Sequence, residues 1–306
     1  MNSRMALRIA APLLLATVIS SAFGAVPPTR EDAAEAYSRG DYKTALQVLR
    51  KLADKGDMEA AGMIGFIYSQ GPESVRDCGQ AITWVRRAAN KGEPQAQHNF
   101  GVMYENGICV KQDYTQAIHW YELAAAKGYI GAISNLGTLY MSGQGVKQDP
   151  VKAVALFRKA ADAGDATAQS NLGMAYINGT GVPVDAQAGF ALIKKAATPK
   201  NPLLYFNLGV AYERGLGTPR NPEEAVKCYK IAAENGHAGA QVNLGMMLAS
   251  GKGTNPDIPR GYMWIALAAE QGDDFAKGKL AYLVSKASPR QVAEGQRLLA
   301  ERKRNH

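Results

Sequence analysis

Ala96-Gln97-His98-Asn99-Phe100-Gly101-Val102-Met103-Tyr104 decides how this chain is read, because it returns. Thirty-six residues on stands Ala132-Ile133-Ser134-Asn135-Leu136-Gly137-Thr138-Leu139-Tyr140. Thirty-six further on stands Ala168-Gln169-Ser170-Asn171-Leu172-Gly173-Met174-Ala175-Tyr176. Extended in both directions, the glycine column runs Gly65, Gly101, Gly137, Gly173, Gly209, Gly245, and a fixed period of this length marks a repeat architecture. The tyrosine column runs Tyr68, Tyr104, Tyr140, Tyr176, Tyr212 and breaks at Leu248. An acidic column runs Asp41, Asp77, Asp113, Asp149, Asp185, Asn221, Asp257, and alanine pairs begin at Ala88, Ala124, Ala160, Ala196, Ala232 and Ala268.

Each column has a physical reading. Ala96, Phe100 and Tyr104 recur at i, i+4, i+8, one face of a helix. Glycine inside that helix costs about 1 kcal/mol relative to alanine, so its recurrence signals a second helix crossing close by. The turn that follows carries paired glycines, as in Gly143-Gln144-Gly145-Val146 and Gly179-Thr180-Gly181-Val182, which supply the positive φ that ends a helix. The acidic column then caps a second helix, offering carboxylates to its unpaired N–H groups. The alanine pair lets the two helices nest, and Gly56, Gly92, Gly128, Gly164, Gly236 and Gly272 close the units. A unit of this kind cannot bury its apolar face alone and must stack on its neighbours.

The alternation of G-x-x-Y, G-x-G-V-x-x-D and K-A-A-x-x-G resembles the Sel-1-like repeat, a relative of the tetratricopeptide repeat. The resemblance implies an all-α, right-handed α/α superhelical solenoid of 36-residue helix–turn–helix units. It covers six units over residues 58–273, with a degenerate leading repeat at 26–57 and C-terminal capping helices at 274–306. Two places depart from the pattern. Gly71-Pro72-Glu73-Ser74 lacks the paired glycines and predicts an atypical loop, and Thr198-Pro199-Lys200-Asn201-Pro202 must stop one helix and start another.

Residues 1–25 have the layout of a secretory signal peptide: Arg4 and Arg8, an apolar run from Ile9 to Ile19, then small residues. Cleavage after Ala22, Gly24 or Ala25 fits, and an uncleaved anchor is the rival reading. Cleavage lowers the formal net charge from +8 to +6 and makes the expected location periplasmic or secreted. No other apolar stretch is long enough to cross a bilayer. The basic residues are dispersed along the chain except for Arg302-Lys303-Arg304, so the charge reads as a solvated surface and not as a nucleic-acid footprint. With 46% hydrophobic residues and three cysteines, neither a disordered chain nor a disulfide mini-protein is in question.

Chemistry-bearing motifs are scarce. His98, His119, His237 and His306 form no i, i+3 or i, i+4 pair, so no metal site is expected. There is no G-x-S-x-G elbow and no S-x-x-K, the element a serine β-lactamase needs. Neither catalysis nor a cofactor is expected. Trp84, Trp120 and Trp264 share one register on the second helices with Cys228, and all four read as buried packing.

Two sets of residues bear sharper hypotheses. Cys78 opens a second helix and Cys109 lies in the next unit's turn, so stacking brings them near bridging distance, and they form either a disulfide or two free thiols. Asn99, Asn135, Asn171, Asn207 and Asn243 stand two residues before the repeat glycine, on the first helices that the resemblance places along the concave groove. Either the ladder clamps the backbone of an extended peptide, or each asparagine ties neighbouring helices in register. The function expected is a periplasmic protein–protein interaction module: adaptor, regulator or immunity protein. The resemblance also suggests two alternatives, a weak hydrolase or binder of β-lactam or cell-wall-derived molecules, and a structural envelope spacer.

Overall fold

The computed structural model describes residues 28–198 and 201–305, and the signal-peptide expectation lies outside them. Those residues form sixteen α-helices and no strand. First and second helices alternate: α1 (Arg30–Ser38) with α2 (Tyr42–Asp54), α3 (Met58–Gln70) with α4 (Cys78–Asn90), α5 (Pro94–Asn106) with α6 (Tyr114–Ala126). The stack continues with α7 (Ile130–Ser142) and α8 (Pro150–Asp162), α9 (Ala166–Asn178) and α10 (Ala186–Ala196), α11 (Pro202–Arg214) and α12 (Pro222–Glu234). It closes with α13 (Ala238–Ser250), α14 (Ile258–Glu270), α15 (Asp274–Lys286) and α16 (Pro289–Arg304). Each helix from α1 to α15 packs on its neighbours in the chain, which is the solenoid arrangement, and α16 folds back on α14.

The acidic column caps every second helix from α2 to α14. Asp41, Asp77, Asp113, Asp149, Asp185, Asn221 and Asp257 each accept a bond from the backbone N–H three residues on. At the other helix end, Gly107, Gly143, Gly179, Gly215 and Gly251 close α5, α7, α9, α11 and α13 in the left-handed conformation. Gly71 closes α3 in an extended conformation instead, in the loop that lacks the paired glycines.

Within each unit the repeat glycine is where the helices cross. A Cβ on Gly137 would sit 2.7 Å from the Phe157 ring, and one on Gly173 would sit 2.6 Å from the Gly189 carbonyl oxygen. The first alanine of each pair is buried, together with Phe100, Tyr121, Phe157, Tyr229 and Ile265.

One expectation needs correction. Trp264 is buried, but Trp84 and Trp120 are only half-buried, and the Trp84 indole donates to Gln80 at the solvent side. The last helix covers the last repeat, as its capping character implies: α16 runs along α14, where Gly295 lets it lie against Tyr262, and it leaves much of α15 uncovered. The physical reason is apolar complementarity: Val292 and Leu299 complete a cluster around Ile265, and α15 offers only Leu280 and Leu283 to it.

Candidate functional site

Two columns run side by side along the first helices. One carries Met63, Asn99, Asn135, Asn171, Asn207, Asn243 and Lys279. The other, three residues on and therefore on the same face, carries Phe66, Val102, Thr138, Met174, Val210, Met246 and Tyr282. Clefts open where consecutive first helices meet along this face. One of about 270 Å³ lies between α1, α3 and α5, lined by Tyr37, Gly62, Met63, Phe66 and Asn99. A second shares Phe66 and Asn99 and extends past His98, Val102 and Met103. A third, of about 250 Å³, holds Thr138, Met141, Asn171 and Met174. The face is thus a groove with polar and apolar positions in register.

The asparagines are half-buried, and their amide groups point back along the stack. Asn135 Nδ2 donates to Tyr121 Oη (3.1 Å) and reaches His98 Nε2 (3.3 Å). Asn171 Nδ2 donates to Thr138 Oγ1 (3.5 Å), and Asn207 Nδ2 to Ser170 Oγ (3.0 Å). Asn99 Oδ1 faces His98 Nδ1 at 3.4 Å, and Asn243 lies near the Tyr229 hydroxyl. Among the described residues, no protein donor reaches Oδ1 of Asn135, Asn171 or Asn207. In Asn135, Asn171 and Asn207 the Nδ2 end ties one unit to the unit before it, and the Oδ1 end, with no such donor, is left as an acceptor.

Beneath the ladder lie two buried acid–phenol pairs that reading column by column missed. Tyr121 Oη donates to Glu105, and Tyr229 Oη donates to Glu213 at 2.8 Å. Burial, then the hydrogen bond to the carboxylate, raises both phenols well above their ordinary range. Burial opposes the charge on Glu213, but bonds from Lys252 (2.8 Å) and Tyr229 outweigh it and hold the carboxyl below its usual value. A signal was present in the sequence. Glutamate occupies the 105 register only at Glu105 and Glu213, the two units with tyrosine sixteen residues later, whereas Met141, Ile177 and Ala249 accompany Phe157, Ile193 and Ile265. A hydroxyl in that core slot requires an acceptor, and the glutamate supplies it.

The histidines have structural surroundings. His98 sits between the Tyr121 and Tyr129 rings, at 5.6 and 5.0 Å, and burial holds it below the usual imidazole range. His237 caps α13 and stacks on Phe206 at 4.5 Å. Among the described residues no three of His, Cys, Asp or Glu converge on a point where a metal could sit.

Cys78 and Cys109 are bridged, with Cα atoms 4.9 Å apart. Their spacing is that of a recurring contact. In later units the second loop glycine packs on the first residue of the preceding second helix: Gly145 on Tyr114, Gly181 on Pro150, Gly217 on Ala186, Gly253 on Pro222. A Cβ there would collide. At the equivalent Cys109 and Cys78 the close approach is made covalent, and Cys109 keeps the glycine-like φ of 60°. Cys228 stays free and buried, and burial pushes its thiol up to about 11.

Comparison with known proteins agrees with this geometry. The Sel1 repeat profile matches residues 59–93, 94–129, 130–165, 166–198, 202–237 and 238–273. A crystal structure of a protective antigen from uropathogenic Escherichia coli, described as displaying an SLR fold, is 36% identical with a TM-score of 0.63. That match covers 84% of this chain and 56% of the antigen, so the chain spans little more than half the antigen's length. A Sel1 repeat protein from Oxalobacter formigenes is 26% identical with a TM-score of 0.69, over 78% of this chain and 96% of that one. No curated protein matches the chain. By its six matched repeats and the solenoid it shares with these relatives, the chain belongs to the Sel1 repeat family.

Proposed function

We propose that this chain is a non-catalytic protein-binding module of the cell envelope that holds an extended segment of a partner protein in the first-helix groove. The observation that carries this reading is the pairing of the two columns. Asparagine acceptors face the groove in register with Phe66, Val102, Met174 and Val210, which suits a peptide's backbone N–H groups and its apolar side chains together. From Met63 to Met246 the two columns themselves hold no Asp, Glu, Lys or Arg, which favours backbone and apolar contacts, and Glu59 and Glu93 add acidic groups at the first cleft. The envelope location is supported by the leader layout of residues 1–25 and by a disulfide, a bond that persists in oxidising compartments. Adaptor, regulator and immunity roles all fit such a groove.

Photo-crosslinking in the native cell tests it. A benzophenone side chain at Thr138 should capture one defined protein, and the same group at Val151, exposed on a second helix, should not. Substituting Asn135, Asn171 and Asn207 together by alanine should weaken that capture in protein that remains folded. Equal capture from both positions, or capture indifferent to the triple substitution, rules the groove out. Nitrocefin turnover by the purified protein would favour the hydrolase reading instead.

A further inference from the structure

The open C-terminal end of the solenoid has a chemistry unlike the rest. Residues 274–306 carry eight basic and three acidic side chains, whereas residues 26–273 are nearly balanced with 25 and 24. The same end exposes aromatic surface. Because α16 lies along α14, α15 buries only Ala276 and Leu283, and Phe275 and Tyr282 stand 62% and 56% exposed. These aromatics alternate with cations on one stripe. Phe275, Lys279, Tyr282 and Lys286 follow at i, i+4, i+7 and i+11, which a helical period of 3.6 places within about 60° of arc. The Lys279 ammonium lies over the Phe275 ring at 5.0 Å. Among the described residues neither Lys279 nor Lys286 has a carboxylate partner, and Arg290 and Arg304 add unpaired charge nearby in the chain.

We propose that α15 docks the protein peripherally on an anionic lipid surface, with Phe275 and Tyr282 entering the headgroup layer and Lys279 and Lys286 on lipid phosphates. Aromatic rings with a wet edge and an apolar body favour that layer, and juxtaposed lysines add attraction to anionic headgroups that falls off within a Debye length. No helix among the described residues is long and apolar enough to cross a membrane, so the contact is one of surface adsorption. Lys279 and Tyr282 continue the two groove columns onto α15, so the docking uses the end of that face and leaves the positions from Met63 to Met246 to a partner.

Co-sedimentation of the full chain with vesicles provides the test, read as the ratio of binding to phosphatidylglycerol–phosphatidylethanolamine vesicles over phosphatidylcholine vesicles. The ratio should be tenfold or more at low salt and collapse at 0.5 M salt. Lys279→Glu/Lys286→Glu should bring it close to one, and Phe275→Ser/Tyr282→Ser should lower it several-fold, with circular dichroism unchanged because Phe275, Tyr282 and Lys286 are exposed and the half-buried Lys279 makes no ion pair. Lys194→Glu/Lys195→Glu on α10 makes the same change in net charge and should leave most of the ratio intact. A wild-type ratio near one overturns the proposal and leaves an acidic protein as the occupant of this end. An α10 variant that loses as much as the α15 variant overturns it as well, since the attraction would then be diffuse.

Discussion

Gly137 and Gly278 are both helical glycines, yet their surroundings give substitution opposite signs. At Gly137 a Cβ would press on the Phe157 ring and the Ala153 carbonyl, and neither can retreat from a packed crossing. Gly137→Leu should lower unfolding stability by about 3 kcal/mol through overpacking. At Gly278 nothing lies within 4 Å of the added atom, so Gly278→Ala should raise stability by up to about 1 kcal/mol from helix propensity alone. Urea midpoints of the two variants decide both statements. A Gly137→Leu protein with an unchanged midpoint would falsify the crossing role. Glu213 titrates with a definite sign. Its carboxyl is held below the usual value of 4.5 in the folded chain, so its ionised form stabilises the fold above the unfolded value. That contribution is lost as pH falls through the depressed folded value. Wild type should therefore out-melt Glu213→Gln at pH 7, with the gap narrowing below about pH 4. Parallel melting curves from pH 7 to pH 3 would contradict it.

At the level of elements, the disulfide joins the start of α4 to the turn after α5 and closes a span of 31 residues. Removing it with Cys78→Ala/Cys109→Ala should cost about 2–4 kcal/mol. Part of that loss has a separate origin, since alanine at position 109 must adopt the positive φ that glycine takes in every later unit. Cys78→Ala/Cys109→Gly should therefore recover about 1 kcal/mol of the loss. Equal stability of the two double variants would show that the turn relaxes once the bridge is gone. Alkylation before reduction should label neither Cys78 nor Cys109, and Cys228 should label only on unfolding, because it is buried with a raised thiol pKa.

Over the whole molecule, the two proposals divide between side and end. Every interior first helix is gripped by a second helix of its own unit and one of the unit before, which leaves its outer stripe free to line a groove. Of the two readings of the asparagine ladder, the tie between units is visible in the Nδ2 bonds of Asn135, Asn171 and Asn207, and the peptide clamp is the proposal that rests on their free Oδ1 acceptors. The terminal α15 has only one of those supports, and it leaves Phe275 and Tyr282 largely exposed. The stack is also uneven along its length. From α1 to α15 the seam between α10 and α11 is the sparsest between consecutive helices, where α10 is two residues shorter than the other second helices of that stretch and the chain re-enters at Pro202.

The sequence alone sufficed for the unit, its period, its caps and the helix-crossing glycines, because each rests on local physics. An aspartate at a helix start, a glycine at a positive φ and an i, i+4 stripe need no knowledge of the rest of the chain. It also marked Cys78 and Cys109 as neighbours, since a fixed repeat makes a remote contact as regular as a local one. What stayed hidden depends on distances between units. Trp84 and Trp120 share a register with Trp264, yet only Trp264 is covered, by Arg302 of α16. The partnership of Glu105 with Tyr121 lay across two columns, and the direction of each asparagine amide was set by the unit before it. The path of α16 was decided by which apolar surface fitted Val292 and Leu299 best, a competition between α14 and α15 that no periodicity records. Tertiary packing alone settled it, and with it the exposure of Phe275 and Tyr282.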